Sequence, residues 1–183
     1  MLLIKIKFNY LFGMLLVFGF AFLNSSTPAQ AEQYSTGSHT VISTQGVLTI
    51  SVGRVSHFNA NDFYVYSFLF QPKGGNELNQ VPRVDKADDS KMLFTVQTRH
   101  TADKDLFDAK IISDGRKIQL VTASMETGET LADDGPVTLT TYDLVKLDDY
   151  ERWVFLRQGV KKIAPKVSVE KLLENAAKLL NKK

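Results

Sequence analysis

Asp62–Gln71 reads DFYVYSFLFQ and is apolar on both faces of an extended strand. At the period of two that a strand imposes, Phe63, Val65, Ser67 and Leu69 fall on one side. Tyr64, Tyr66, Phe68 and Phe70 fall on the other. That pattern predicts a central strand, or one whose outer face meets a further layer. Upstream, Val47–Val55 sets Leu48, Ile50 and Val52 against Thr49, Ser51 and Gly53, which predicts a half-buried strand. The connecting SHFNANDF is dense in turn formers, so the two strands are expected to pair as a hairpin with a longer loop.

The same period continues outward in both directions. His39–Ser43 is a short candidate strand. Lys91–Thr98 is expected to turn Met92, Phe94 and Val96 inward. Asp105–Ser113 and Arg116–Ala123 flank Asp114-Gly115, a pair suited to a two-residue hairpin turn. Ile118, Leu120 and Thr122 alternate with Lys117, Gln119 and Val121, as a half-buried strand requires. Val137–Leu144 and Glu151–Gln158 complete seven or eight strands, with Trp153 and Phe155 on one face of the last and Val154 and Leu156 on the other. Pro72–Ser90, with two glycines and two prolines, is long for a loop in a compact domain, and Val81 and Val84 are its candidate pins.

The period changes only at the C-terminus. Val169, Leu172, Leu173, Ala176, Leu179 and Leu180 repeat at helical spacing, behind Ser168 as an N-cap. This predicts one helix at about 168–182. Such a helix is marginal alone and is expected to dock, on its own domain before any partner or membrane surface. The expected fold is mainly β, an antiparallel β-sandwich with a C-terminal α-helix. A partly open β-barrel plugged by the helix comes second, and an α+β layer third.

The first 31 residues read differently. Lys5 and Lys7 precede the uncharged run Leu11–Leu23, and Ala29-Gln30-Ala31 follows a polar stretch. This is the pattern of a cleavable signal peptide. Thirteen residues of helix cover about 20 Å, against roughly 30 Å of bilayer hydrocarbon. No stable transmembrane span is therefore expected after cleavage. An uncleaved anchor or a buried helix is the competing account. The expected product is a single β-rich domain, 32–183, exported to the periplasm or fully secreted.

The chain has no cysteine, so neither a disulfide nor a lipid-acylated cysteine is available. Without Lys5 and Lys7, 20 basic residues face 20 acidic ones, and the net charge of +2 belongs to the leader. Near-neutrality, and the lack of basic residues in Asp62–Gln71, argue against nucleic acid as a partner. Glu126–Glu151 is acid-rich and Lys161–Lys183 lysine-rich, which two solvated faces accommodate.

Motifs for chemistry are sparse. His39, His57 and His100 make no metal-ligand spacing, and no calcium loop, nucleophile elbow or phosphate loop occurs. No catalytic residue, metal or cofactor is expected. Two polar clusters remain as candidates: Arg54, His57, Asn59, Asn61 and Asp62 around one hairpin end, and Arg99, His100 and Asp103 at another. Turn formation explains both without function. Among the aromatics, Tyr64, Tyr66, Tyr142 and Trp153 are the candidates for an interface, against core packing. The leading expectation is a non-enzymatic exported protein binding another protein or a cell-envelope component. A carrier of an apolar small ligand or lipid, with Asp62–Gln71 as cavity wall, is second. An extracytoplasmic hydrolase using acidic residues is third.

Overall fold

The computed structural model describes residues 33–56, 62–87, 91–130, 135–148 and 151–180. The leader 1–31 and the loop residues His57, Asn59 and Asn61 lie outside them.

Two sheets stack face to face. The first follows the order β1 (Gly37–Ser43), β2 (Gly46–Val55), β3 (Phe63–Pro72) and β4 (Asn79–Gln80), with β6 (Thr95–Gln97) also on β3. The second runs β5 (Arg83–Val84), β11 (Arg152–Ile163), β10 (Val137–Leu147), β9 (Ile118–Met125), β8 (Asp105–Ser113) and β7 (Arg99–His100). All pairings are antiparallel except β5 on β11. The architecture is the expected mainly-β sandwich with a C-terminal helical segment.

β3 is central, as its two apolar faces require: β2 flanks one edge, β4 and β6 the other. Its inward residues Tyr66, Phe68 and Phe70 join Leu48, Ile50 and Val52 of β2. Opposite them lie Ile111, Leu120, Leu144 and Phe155 of the second sheet. The Phe68 and Phe155 rings meet edge to face at 5.2 Å across the interface. At one end, the Thr44 N–H donates to the Gly115 carbonyl at 2.8 Å, tying the β1–β2 turn to the β8–β9 loop.

A second core lies on the far side of the second sheet. There α1 (Val169–Glu174) and α2 (Ala176–Leu180) cover Leu106, Val121, Ala123, Met125, Val137 and Leu139. β9 is therefore buried on both faces, which corrects the half-buried expectation. The helix docks on its own domain through Val169, Leu172, Leu173 and Ala176.

The single long helix is corrected to two short ones. Asn175 sits at φ −95°, ψ 4°, and its side-chain amide donates to the Lys171 carbonyl at 2.9 Å. A short polar side chain that bonds the preceding turn competes with the helical ladder and ends it there. The N-cap is as expected: the Ser168 hydroxyl accepts from Lys171 N at 3.2 Å. Ser168→Ala should cost about 1 kcal/mol in denaturant titration, with Ser168→Asp restoring it. Equal stability of the serine and alanine forms would show that docking alone holds this end.

Three other expectations change. Ser113 pairs with Ile118, so the β8–β9 loop has four residues rather than two. The Asp114 carboxylate accepts from Arg116 N at 2.8 Å and Lys117 N at 2.7 Å, a side-chain turn that replaces the tight one. Pro72–Ser90 contains the short strands β4 and β5 where a loop was expected, while Val81 and Val84 are buried, as expected of its pins. Phe94 is 40% exposed, because the strand that should have turned it inward spans only Thr95–Gln97.

Candidate functional site

β6 and β7 are one residue apart yet belong to different sheets. The crossing residue, Thr98, is buried and holds the first sheet twice. Its N–H donates to Tyr64 O at 2.8 Å, and its hydroxyl accepts from Tyr64 N at 2.9 Å. Arg99 then pairs with Phe107 in the second sheet, followed by an irregular step to His100. The corner leaves an open depression of about 490 Å³ lined by Asp62, Phe63, Gln97, Thr98, Arg99, His100, Phe107 and Ser124.

The two polar clusters of the sequence thus meet here in part. Asp62 accepts from the Arg54 guanidinium and from the Ser56 hydroxyl at 3.1 Å. Arg99 and His100 stand on the same depression. Asp103 does not join them; its N–H donates to Thr101 Oγ1 in the adjoining turn, and it is a turn former. Among the described residues, no hydrogen bond joins His100 to a hydroxyl or carboxylate. No group of three His, Asp or Glu residues able to hold a metal occurs among them either.

The four aromatic candidates divide. Tyr66 is fully buried and Tyr142 nearly so, which removes both from any contact with a partner in this fold. Their alternation placed them on a face, but only the stacked second sheet shows that face to be internal. Tyr64 and Trp153 are partly buried against the core. Trp153 packs on Phe70 with ring centroids 4.7 Å apart and keeps part of its indole at the surface.

That remaining indole surface belongs to a larger one. The segment after β3 is stitched between the sheets: Val81 N donates to Phe68 O at 2.9 Å, and Phe155 N to Pro82 O at 2.8 Å. Arg83 and Leu93 exchange backbone bonds at 2.8 and 3.0 Å. On the outside of this anchored segment Leu78 is 57% exposed and Leu93 43%. One shallow depression joins Leu78 and Phe94 to Glu151 and Arg152, and a second joins Pro72 and Glu77 to Lys146 and Trp153. Both contain Asn79 and Glu151, so Leu78, Phe94 and Trp153 border one continuous surface. Sequence reasoning reached Trp153 and the segment but missed Leu78 and Phe94. The local signal for Leu78 is an isolated apolar residue inside a polar run.

A buried carboxyl marks the opposite edge. Beyond Phe107, no strand among the described residues pairs with the outer side of β8, and side chains accept from its N–H groups there. The Asp108 carboxylate accepts from Ala109 N at 2.6 Å, and the Tyr34 hydroxyl accepts from Ile111 N at 2.7 Å. Covering an edge in this way blocks further strand pairing. Burial pushes Asp108 up to about 7, against lowering by the Ala109 N–H and the Tyr66 hydroxyl. Burial likewise pushes Tyr34 up to about 12.

Fold and surface define a two-sheet sandwich backed by a helical segment. No family model and no curated protein sequence matches the chain. Among solved structures it is similar to the crystal structure of CarG, with a TM-score of 0.59 and 18% identity over 77% of this chain and 91% of CarG. At that identity the likeness is one of fold.

Among the described residues, no helix is long and apolar enough to cross a membrane.

Proposed function

We propose that this chain is an exported, non-enzymatic protein that binds another protein or a cell-envelope component through the surface bordered by Leu78, Phe94 and Trp153. The observation that carries the reading is the exposure of Leu78 and Phe94 around a segment anchored by buried Val81 and Val84 and by backbone bonds to β3 and β11, with Trp153 half-buried beside them on β11. Large apolar side chains that are already ordered lose little freedom on binding, which favours association. The rim supplies Glu77, Lys146, Glu151 and Arg152, the polar border that such interfaces carry. Export rests on Lys5, Lys7, the run Leu11–Leu23 and Ala29-Gln30-Ala31. The carrier reading has less support, since the inward side chains of β3 pack against β11 instead of lining a cavity.

The test compares native protein with Leu78→Ser/Phe94→Ser in pull-downs from envelope extract, with circular dichroism as the folding control. A component retained by the native protein should bind at least about tenfold more weakly to the double variant, the scale of an interface hot spot. Equal retention by both would overturn the surface assignment. Export is tested by N-terminal sequencing of the periplasmic or secreted fraction, with Glu32 as the expected first residue; retention of Met1 would refute it.

A further inference from the structure

The two sheets differ in what lies on their outer faces. The six-stranded sheet is covered by α1 and α2, whereas no described element packs on the outer face of the five-stranded sheet. The register fixes which side chains form that face. Ile42, Val47 and Gln71 make one row; Thr40, Thr49 and Leu69 the next; Ser38, Ser51 and Ser67 the middle one. Gly53 beside Val65, then Val55 beside Phe63, complete it. Thr95, Gln97 and Gln80 extend the rows onto β6 and β4. No Asp, Glu, Lys or Arg occurs at any of these positions, in a chain that is 23% charged. A solvated sheet face ordinarily carries polar residues, and contiguous apolar side chains on such a face, here Ile42, Val47, Leu69, Val65, Val55 and Phe63, mark contacts.

We infer that this face is where a second copy of the chain docks, sheet against sheet about a two-fold axis. A two-fold interface sets one patch against itself, so a charge close to the axis faces its own copy. A face with none is self-complementary in the one respect that symmetry makes hardest. Its central row is serine, small enough for two sheets to approach at about 10 Å while Val47, Val65 and Leu69 interdigitate around it. Size also fits. With seven residues in β1, ten each in β2 and β3, and only two and three in β4 and β6, strands about 4.8 Å apart at about 3.3 Å per residue make a face of about 500 Å² in projection. Side-chain relief adds to that projected area and brings it toward the roughly 600 Å² per partner at the low end of specific interfaces. The highly exposed Ile42 would be covered at its corner. The face shares only Gln80 with the surface bordered by Leu78, Phe94 and Trp153, so the inference stands independently of that assignment.

Sedimentation velocity on the protein as its host produces it provides the test. Native protein is expected at twice the chain mass. Ser51→Lys and Ser51→Glu, at an exposed central position, should each weaken dimerisation by roughly a hundredfold, because like charges are then juxtaposed across the axis. Mixing the two variants should restore the dimer, which a folding defect would not do. Should either variant misfold, the pair Thr40→Lys and Thr40→Glu, also exposed, takes its place. A native protein that stays monomeric at about 100 µM, the upper part of the concentration range where weak specific interfaces associate, overturns the inference. So does a dimer that survives both charge substitutions; the face would then be occupied by another segment or partner, or by none.

Discussion

Phe155→Ala should lower the stability by about 4 kcal/mol, the scale of a large aromatic deleted from a core. Phe155 is fully buried on β11 and meets Phe68 edge to face at 5.2 Å, so it joins the two sheets at the middle of the sandwich. Its N–H also donates to Pro82 O, which anchors the segment that carries Leu78. Truncation removes apolar contact on both sides and leaves a cavity that two hydrogen-bonded sheets can close only in part. At about 2–4 °C per kcal/mol for a domain of this size, the melting midpoint should fall by roughly 10 °C. Val160→Ala on the same strand is the control: Val160 is 59% exposed, and its loss should change stability by less than about 0.5 kcal/mol. If both substitutions cost the same, strand propensity and not inter-sheet packing holds β11.

The second large effect is a dependence of stability on pH. Asp108 is 4% exposed, and burial holds its carboxyl at about 7, above its ordinary value of 3.8. Asp105 adds to the shift, while the Ala109 N–H, the Tyr66 hydroxyl and the Gln33 backbone oppose it. The folded state thus binds a proton that the unfolded chain releases. Its contribution is fully present below about pH 4 and is lost as the pH rises through about 7. At 1.36 kcal/mol per pH unit, the gap between the two values corresponds to about 4 kcal/mol. Asp108→Asn keeps an acceptor for Ala109 N and removes the titration. Urea unfolding from pH 4 to 8 should show native stability falling relative to the variant, and lower than the variant's above pH 7. Parallel curves would mean that the carboxylate is solvated. Asp114 shifts the other way, lowered chiefly by the Lys117 and Arg116 N–H groups, but it is fully exposed.

Strand parity was legible in the residues alone, because alternation is a local property of extended backbone. The residue pattern placed Leu48, Ile50 and Val52 on one face of β2, made β3 central, and located the helix start at Ser168. It also assembled the polar residues Asp62, Arg99 and His100 as candidates, though as two sites and not one. The rest came from packing, because it depends on groups far apart in the chain. The stacked second sheet made Tyr66 and Tyr142 internal, and the docked helix buried the second face of β9. Thr98 sent adjacent residues into different sheets and so brought Asp62 to Arg99. Burial raised Asp108, whose own neighbours in sequence give no hint of it. Strand parity needs only the next two residues. Which face is covered, and which is left open, is a matter of what packs on it, and no local pattern carries that information.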